Sequence, residues 1–365
     1  MEKDHVVLLG CGDVGPMEEP ISRFSELIRP VLATGDIRFA QCERLYSERG
    51  VLRPHGYPHC RINPRMSSVF TDCGFDVVSL ASNHGGDWGE EALIDTMAVF
   101  RQMNIPTAGA GHDAREARKP VIIERNGLRI AFLAYCSVLR DGYEARNDKA
   151  GIAPLRAYTY YESRDSNPGV PPRVVSAPYQ EDLDAMLEDV TAARKLADSV
   201  VLSMHWGIHY YEKIVAEYQP IIAHAAIDAG ADLILGHHPH LLKAIEVYKG
   251  KVCFYSLGEF IMQLERTPQN AAALVRKYGI KLDPNYPKLA HGEGCHRVLI
   301  AKAVFTKQGI QKVSCLPVMI NPDLRPEALR RGDPRFDDMV RYAEWISEGY
   351  DHKFTVDGDE ICITA

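Results

Sequence analysis

The sequence has no run of roughly eighteen apolar residues, so no stretch is long enough to cross a bilayer as a helix. It has no CxxC pair either. Its nine cysteines, at 11, 42, 60, 73, 136, 253, 295, 315 and 362, are widely spaced and odd in number. That pattern argues against a disulfide framework or a cysteine-based zinc knot, and most of them read as buried small apolar residues. Cys11 and Cys42 stand out because both adjoin candidate ligands. Basic charge is not in excess: 42 Lys and Arg face 49 Asp and Glu, for a formal net charge of −7. Nucleic acid and anionic membrane surfaces are therefore poor partners, a local basic groove aside. Met1-Glu2-Lys3-Asp4-His5 leads straight into a strand-like run without the charged, apolar and small-residue zones of a signal peptide, so the chain reads as cytoplasmic. There is no internal repeat and no low-complexity segment. What remains is a 365-residue chain, 46% apolar and 25% charged, with ordinary globular composition and enough length for one large domain or two small ones.

Against that background the histidines are unevenly placed. Val200–Met204 is an apolar run ending on His205-Trp206-Gly207. Ala231–Leu235 ends on Gly236-His237-His238-Pro239-His240, and Val252–Tyr255 ends on Ser256-Leu257-Gly258-Glu259. Earlier in the chain, His5–Cys11 reads as a buried strand with Asp13 on the turn that follows. Ile37–Cys42 alternates like a strand and ends on Glu43. Asp76–Ala81 ends on Ser82-Asn83-His84-Gly85-Gly86-Asp87. In open α/β sheets the carboxyl ends of strands are where sites collect.

The intervening segments read as follows. Residues 21–32, 65–74, 90–103 and 181–197 are helical, with Leu93, Met97, Val99 and Phe100 sharing a face of the third. Asn126-Gly127, between Val121–Glu124 and Leu128–Tyr135, predicts a hairpin and so an antiparallel strand in an otherwise parallel sheet. Residues 44–64 form a Pro-rich loop carrying His55, His59 and Cys60, a weaker metal pattern than a surface loop pattern. Residues 139–178 show no clear period, residues 263–296 form a second long insert carrying His291, Cys295 and His296, and both read as inserts or lids. Residues 323–365 read as a mainly helical C-terminal extension packed on a domain spanning 1–322.

The strand-end residues Asp13, Glu43, Asn83, His84, His205, His237, His238 and His240 make a nitrogen and oxygen ligand set that suits Mn, Fe or Zn without a thiolate. A carboxylate shared by two such ions holds them about 3.5–4 Å apart, where they acidify a water and clamp a phosphoryl or acyl oxygen. Asp36, in Gly35-Asp36, is a rival to Glu43. The i, i+2 spacing favours His238 and His240 over His237, since alternate strand residues share a face.

This order of motifs resembles the calcineurin-like metallophosphoesterase superfamily. More closely, the chain is identified as a member of the CapA family, named for the poly-γ-glutamate capsule biosynthesis protein. The segments that carry the resemblance are Ser79–His84, Gly109-Ala110-Gly111, His205-Trp206-Gly207, Asp228–Asp232, Gly236–His240 and Tyr255–Gly258, within residues 5–320. The resemblance implies a four-layer α/β/β/α sandwich with mixed sheets. It implies Asp13, Glu43, Asn83, His205 and two of the clustered histidines as ligands to one or two divalent metal ions, and His84 as proton donor to a leaving group.

Four departures from the family pattern are visible. Gly15 stands where the superfamily has a His two residues after the Asp, which leaves room for a single-ion site or a replacement ligand. Gln41-Cys42-Glu43 stands for Asn-Leu-Glu, His209 follows the His-Trp-Gly segment out of pattern, and Glu259 replaces an Asn. His209, Glu259 and Arg44 are therefore expected to touch substrate, with Arg38, Arg156, Arg164 and Arg173 as further cations for a polyanion. The expected function is a metal-dependent hydrolase that turns a metal-bound hydroxide on a phosphoester or a γ-glutamyl amide. The alternatives are a non-catalytic accessory protein of polymer synthesis, whose usual membrane anchor is not seen here, and a small-molecule biosynthetic enzyme.

Overall fold

Alternation along the strands sets the layers. In the strand Val6–Gly15, Val6 and Leu8 point to one side while Leu9 and Cys11 point to the other, and all four are buried. Ile37 and Phe39 are divided from Ala40 and Cys42 in the same way, and so are Leu128, Ile130 and Phe132 from Ala131, Leu133 and Tyr135. Strands buried on both faces must be covered on both, which gives continuous apolar runs in the sequence.

The computed structural model describes residues 4–264, 267–287, 289 and 291–365. The expected insert 263–296 therefore includes four residues, 265, 266, 288 and 290, that lie outside the described ones, as does the N-terminal Met1-Glu2-Lys3. One sheet runs in the order Lys353–Asp357, Glu360–Thr364, Gly309–Ile320, Arg297–Thr306, Val6–Gly15, Ile37–Cys42, Val77–Ser79, Thr107–Ala108. The second runs Ile245–Tyr248, Lys251–Phe254, Leu233–His237, Ser199–His205, Leu128–Cys136, Val121–Arg125, parallel in its middle and antiparallel at both edges. Val6, Leu8, Phe39, Phe132, Val201, Leu235 and Phe254 fill the space between the sheets. Ser22–Glu26, Ser68–Cys73 and Gly89–Gln102 cover the outer face of the first sheet, and Gln180–Arg194 and Tyr218–Ala229 cover that of the second. The four-layer α/β/β/α sandwich with mixed sheets is thus present.

Phe39 lies at the middle of the inter-sheet layer, stacked on Phe132 at 5.9 Å and tilted against the His237 ring at 5.9 Å. Phe39→Ala should lower unfolding stability by about 3–5 kcal/mol, the range for a fully buried aromatic, measured by denaturant unfolding. A loss under ~1 kcal/mol would show that the two sheets do not depend on this contact.

Three expectations about elements are corrected. The first strand continues through Asp13 to Gly15, because Gln41 and Cys42 on one side and Glu259–Met262 on the other extend its pairing. Residues 139–178 are not formless: Ala157–Glu162 and Arg173–Pro178 pair as an antiparallel ribbon. Its outer half is exposed on both faces, so no apolar alternation marks it. The C-terminal extension is not mainly helical. The helix Pro334–Ser347 is flanked by the strand Pro326–Ala328 and the hairpin Lys353–Asp357/Glu360–Thr364, both joined to Gly309–Ile320. Ile361 and Ile363 bury one face of that hairpin, and residues 323–365 complete the first sheet rather than cap it. The Asn126-Gly127 hairpin is as expected, with φ of 49° and 71° at its two turn residues.

Candidate metal centre

The carboxyl ends of the parallel strands in both sheets converge. The first sheet supplies candidate oxygen ligands: Asp13 within Val6–Gly15, Glu43 just past Ile37–Cys42, and Asn83 past Val77–Ser79. The second supplies imidazoles: His205 closes Ser199–His205, and His238 and His240 follow Leu233–His237. Gly12 makes this convergence possible. A side-chain carbon there would lie 1.9 Å from the Gly258 carbonyl oxygen, so only glycine lets the first strand pass that loop.

Glu43 stands at the middle. Its Oε1 is 3.9 Å from His205 Nε2, 3.6 Å from His240 Nε2 and 4.0 Å from His84 Nε2. Two groups of ligand atoms share it, Glu43 with His205 and His238, and Glu43 with Asp13 and His240. Asn83 Oδ1 lies 2.8 Å from His205 Nε2, on the side of the first group. Atoms about 2.0–2.2 Å from a common ion are held roughly 3–4 Å from one another, and the centre has that spacing.

The chemistry of the donors asks for cations. Asp13 Oδ1, both Glu43 carboxylate oxygens, and Nδ1 of His205, His238 and His240 are buried without a hydrogen-bond partner among the described residues. Burial pushes the Asp13 carboxyl well up, opposed by the His238 amide and reinforced by Glu259. Burial also pushes Glu43 well up, and Asp13 adds to it. The imidazoles are driven the other way, His205 and His238 well down and His240 to about 3, again by burial first. Neutral imidazoles are ready to ligate, and divalent cations would return the two carboxylates to their charged form. The residues present therefore fit one or two divalent ions.

His238 and His240 are brought in as expected, but not by strand alternation. Both lie beyond the strand end with φ of 96° and 59°. Left-handed backbone at two non-glycine residues is unfavourable by about 1–3 kcal/mol each, and it gathers at functional sites. His237 is instead turned inward against Phe39, its Nδ1 3.9 Å from Asp13 Oδ1.

His84 stands at the rim. Its Nδ1 is 2.7 Å from Asp87 Oδ2, and its Nε2 is 3.3 Å from Asn83 Nδ2. Asp87 is buried and also accepts from Arg140 at 2.7 Å, from Tyr143 Oη at 3.0 Å and from the Tyr57 amide at 3.1 Å. Burial opposes its charge, but these donors hold its carboxyl below the usual range. Burial lowers the His84 pKa, with Asp87 opposing. The network gives the Nδ1–H tautomer, which aims Nε2 at the centre. Asp87→Asn should lower kcat by roughly 10-fold or more with metal content unchanged, since it removes the charge that orients and stabilises the imidazolium. Equal kcat in the two proteins would show that Asp87 only braces the loop.

Other expectations place differently. Asp36 accepts from the Val7 amide at 2.9 Å and staples the start of its strand, away from the centre. Arg44 is not open to a substrate. It is buried beneath the centre, donating to the carbonyls of His59 at 3.1 Å and Gln263. Arg38, Arg156 and Arg173 are engaged by Asp76, Asp182 and Glu217. These three are already paired with carboxylates, Arg164 is exposed, and Arg140, paired with Asp87, lies beside His84. His209 stands over the centre, its ring 3.8 Å from His238 and 5.4 Å from His240. Glu259 is buried beside Asp13 and His240. Cys11 is inert, burial holding its thiol protonated, and burial pushes Cys42 to about 12. Of the 44–64 loop, His55 is exposed, while Cys60 lies within ligand reach of His84 and Asp87. Asp87, Arg140 and Tyr143 were not assigned a role from the sequence, and His291 was noted only as part of the second insert. Asp87, three residues after His84, was the one with a local signal.

The comparisons with known proteins agree with the motif reading. The family description "Bacterial capsule synthesis protein PGA_cap" matches residues 13–264. A PGA biosynthesis protein CapA of Bacillus subtilis is 33% identical over 219 residues, covering 60% of this chain and 50% of its own. A capsule biosynthesis protein CapA of Bacillus anthracis is 32% identical over 222 residues, covering 60% and 47%. A probable polyglutamine synthesis accessory protein of Mycobacterium tuberculosis is 29% identical over 214 residues, covering 57% and 51%. The chain matches these relatives over about half of their length. A calcineurin-like phosphoesterase of Bacillus subtilis overlays 89% of this chain at 10% identity with a TM-score of 0.38, a likeness too slight to carry weight. On its motifs and on a family match that begins at Asp13, the chain belongs to the bacterial capsule synthesis protein (PGA_cap) family.

Proposed function

We propose that this chain is a metal-dependent hydrolase whose centre would hold two divalent ions, of the Mn, Fe or Zn kind, with Glu43 contributing to both groups of ligand atoms. The observation that carries the proposal is the Glu43 carboxylate, buried and without a hydrogen-bond partner among the described residues, set between two groups of ligand atoms. Asp13 and His240 would hold one ion, and Asn83, His205 and His238 the other. Such ions supply an acidified water and polarise the oxygen of a phosphoryl or acyl group. The chain's own residues do the rest. His84 Nε2 gives a proton to the leaving group, and the Asp87 carboxylate stabilises the imidazolium that carries it. His209 and Tyr278 wall the centre, their rings 6.1 Å apart, and limit the water that reaches it.

The substrate class is a phosphoester or a γ-glutamyl amide, the second drawn from the PGA biosynthesis role named for the Bacillus subtilis relative. A screen of phosphoesters against γ-glutamyl amides, with metal-loaded and chelated protein, tests this. Chelator-sensitive turnover of one class is expected. Metal-loaded protein that turns over neither would favour a second reading, an accessory role in polymer synthesis like that named for the mycobacterial relative.

A further inference from the structure

At Gly15, where the superfamily pattern has a ligand His, no side chain can be accommodated as the chain stands. A side-chain carbon there would lie 2.6 Å from Arg44 Cγ, 2.8 Å from Arg44 Nε and 3.0 Å from Met262 Sδ. The buried Arg44 side chain fills the space that an imidazole on this strand would need. The ion beside Asp13 is thereby left with one protein ligand fewer.

The neighbouring strand offers another. Glu259–Met262 pairs in parallel with Val6–Gly15, with Glu259 opposite Asp13 and Met262 opposite Gly15. Glu259 is 1% exposed, and its Oε1 has no hydrogen-bond partner among the described residues. Its Oε2 is 3.5 Å from His240 Nδ1, which is itself 3.9 Å from Asp13 Oδ2. His240 Nδ1 is thus flanked by two carboxylates, and it makes a proper hydrogen bond to neither. Each of those two separations suits a pair of donors to one cation, and Glu259 and Asp13 each fall in a group of possible ligand atoms that includes His240. On the far side, His291 Nδ1 lies 2.6 Å from the same Glu259 oxygen, too close for two ligands of an ion and right for a charge-assisted hydrogen bond. The His291 ring stacks on His240 at 4.0 Å.

We propose that Glu259 is a ligand to the ion held by Asp13, Glu43 and His240, replacing the imidazole that Gly15 lacks, and that His291 positions its carboxylate. This rests on the two-ion reading above and assigns Glu259 to the metal rather than to the substrate. Three carboxylates and one imidazole then surround this ion, a harder set than the neighbouring Asn83, His205 and His238, so Mn is the ion it suits best. His291 lies beyond the residues matched by the family description, in the second insert. Docking of that insert and retention of this ion are therefore linked.

The test is metal content and Mn affinity of the full-length chain, read by elemental analysis after gel filtration and by the electron paramagnetic resonance of titrated Mn. Wild type should hold two ions per chain with a spin-coupled signal. Glu259→Gln should hold one, uncoupled, with Mn affinity at the other position lower by about 100-fold, and His291→Ala should weaken the same position by about 10–100-fold. In the metal-free state Glu259→Gln should melt no lower than wild type, because it removes a buried carboxylate whose Oε1 has no hydrogen-bond partner among the described residues and keeps an oxygen to accept from His291; a purely structural Glu259 would make it melt lower. Two ions retained at unchanged affinity in Glu259→Gln, or in His291→Ala should the first variant not fold, would overturn the proposal and leave the two-ion reading standing. A wild type that binds no ion would overturn that reading itself.

Discussion

Glu43→Gln is expected to strip both ions from the chain and to lower turnover by at least 10²–10³-fold, the scale of losing one strong electrostatic stabiliser of a transition state. The carboxylate oxygens of Glu43 are shared between the two ligand groups, so no other single change touches both. Glutamine keeps the shape and loses the charge that neutralises two cations at once. Stability supplies a second readout. A ligand at about 100 times its Kd stabilises a fold by about 2.7 kcal/mol, so metal should raise the melting temperature of wild type. Glu43→Gln should show no such rise. Its metal-free form should be at least as stable as metal-free wild type, since burial and the neighbouring Asp13 both oppose a charge on the Glu43 carboxyl and glutamine has none to bury. A variant that keeps two ions would remove Glu43 from the bridging position.

His84→Asn should behave in the opposite way, with both ions retained and kcat reduced by about 10²–10⁴-fold, the range for losing a general acid. The residue touches the centre through its Nε2, 4.0 Å from Glu43 Oε1, while its other nitrogen is held by Asp87. The loss should shrink for substrates whose leaving group needs no proton, such as activated phenyl esters. If kcat were unaffected for poor and good leaving groups alike, His84 would not be the acid. Asp87→Asn, in the same chain of contacts, should share this dependence on the leaving group at smaller amplitude.

The candidate ligands were legible as a set because each follows an apolar run that reads as a strand, and strand ends in an α/β sheet lie on one edge. Asp13, Glu43, Asn83, His205, His238 and His240 all carry that local mark. Residues whose roles depend on long-range neighbours did not. Arg44 reads like any basic residue beside a ligand, and only its packing against Gly15 shows that it replaces a side chain rather than meeting a substrate. Glu259 could be seen as a departure from the family pattern, but its pairing opposite Asp13 joins residues 246 positions apart. His291 stood in the second insert with Cys295 and His296, but it follows no strand-like run, so nothing local tied it to Glu259. The pairing of His238 and His240 was reached from strand alternation, whereas left-handed backbone achieves it. The C-terminal hairpin was missed for a related reason: its half-exposed strands are short, and their partner Gly309–Ile320 lies far away in the sequence.

Two ions are expected astride Glu43. Anomalous diffraction from a crystal of the protein soaked in a Mn salt tests this most directly. Two peaks about 3.5–4 Å apart are predicted, one beside Asp13, His240 and Glu259 and the other beside Asn83, His205 and His238, with the Glu43 carboxylate between them. A map with no peak at these residues, or with ions bound only elsewhere on the chain, would contradict it.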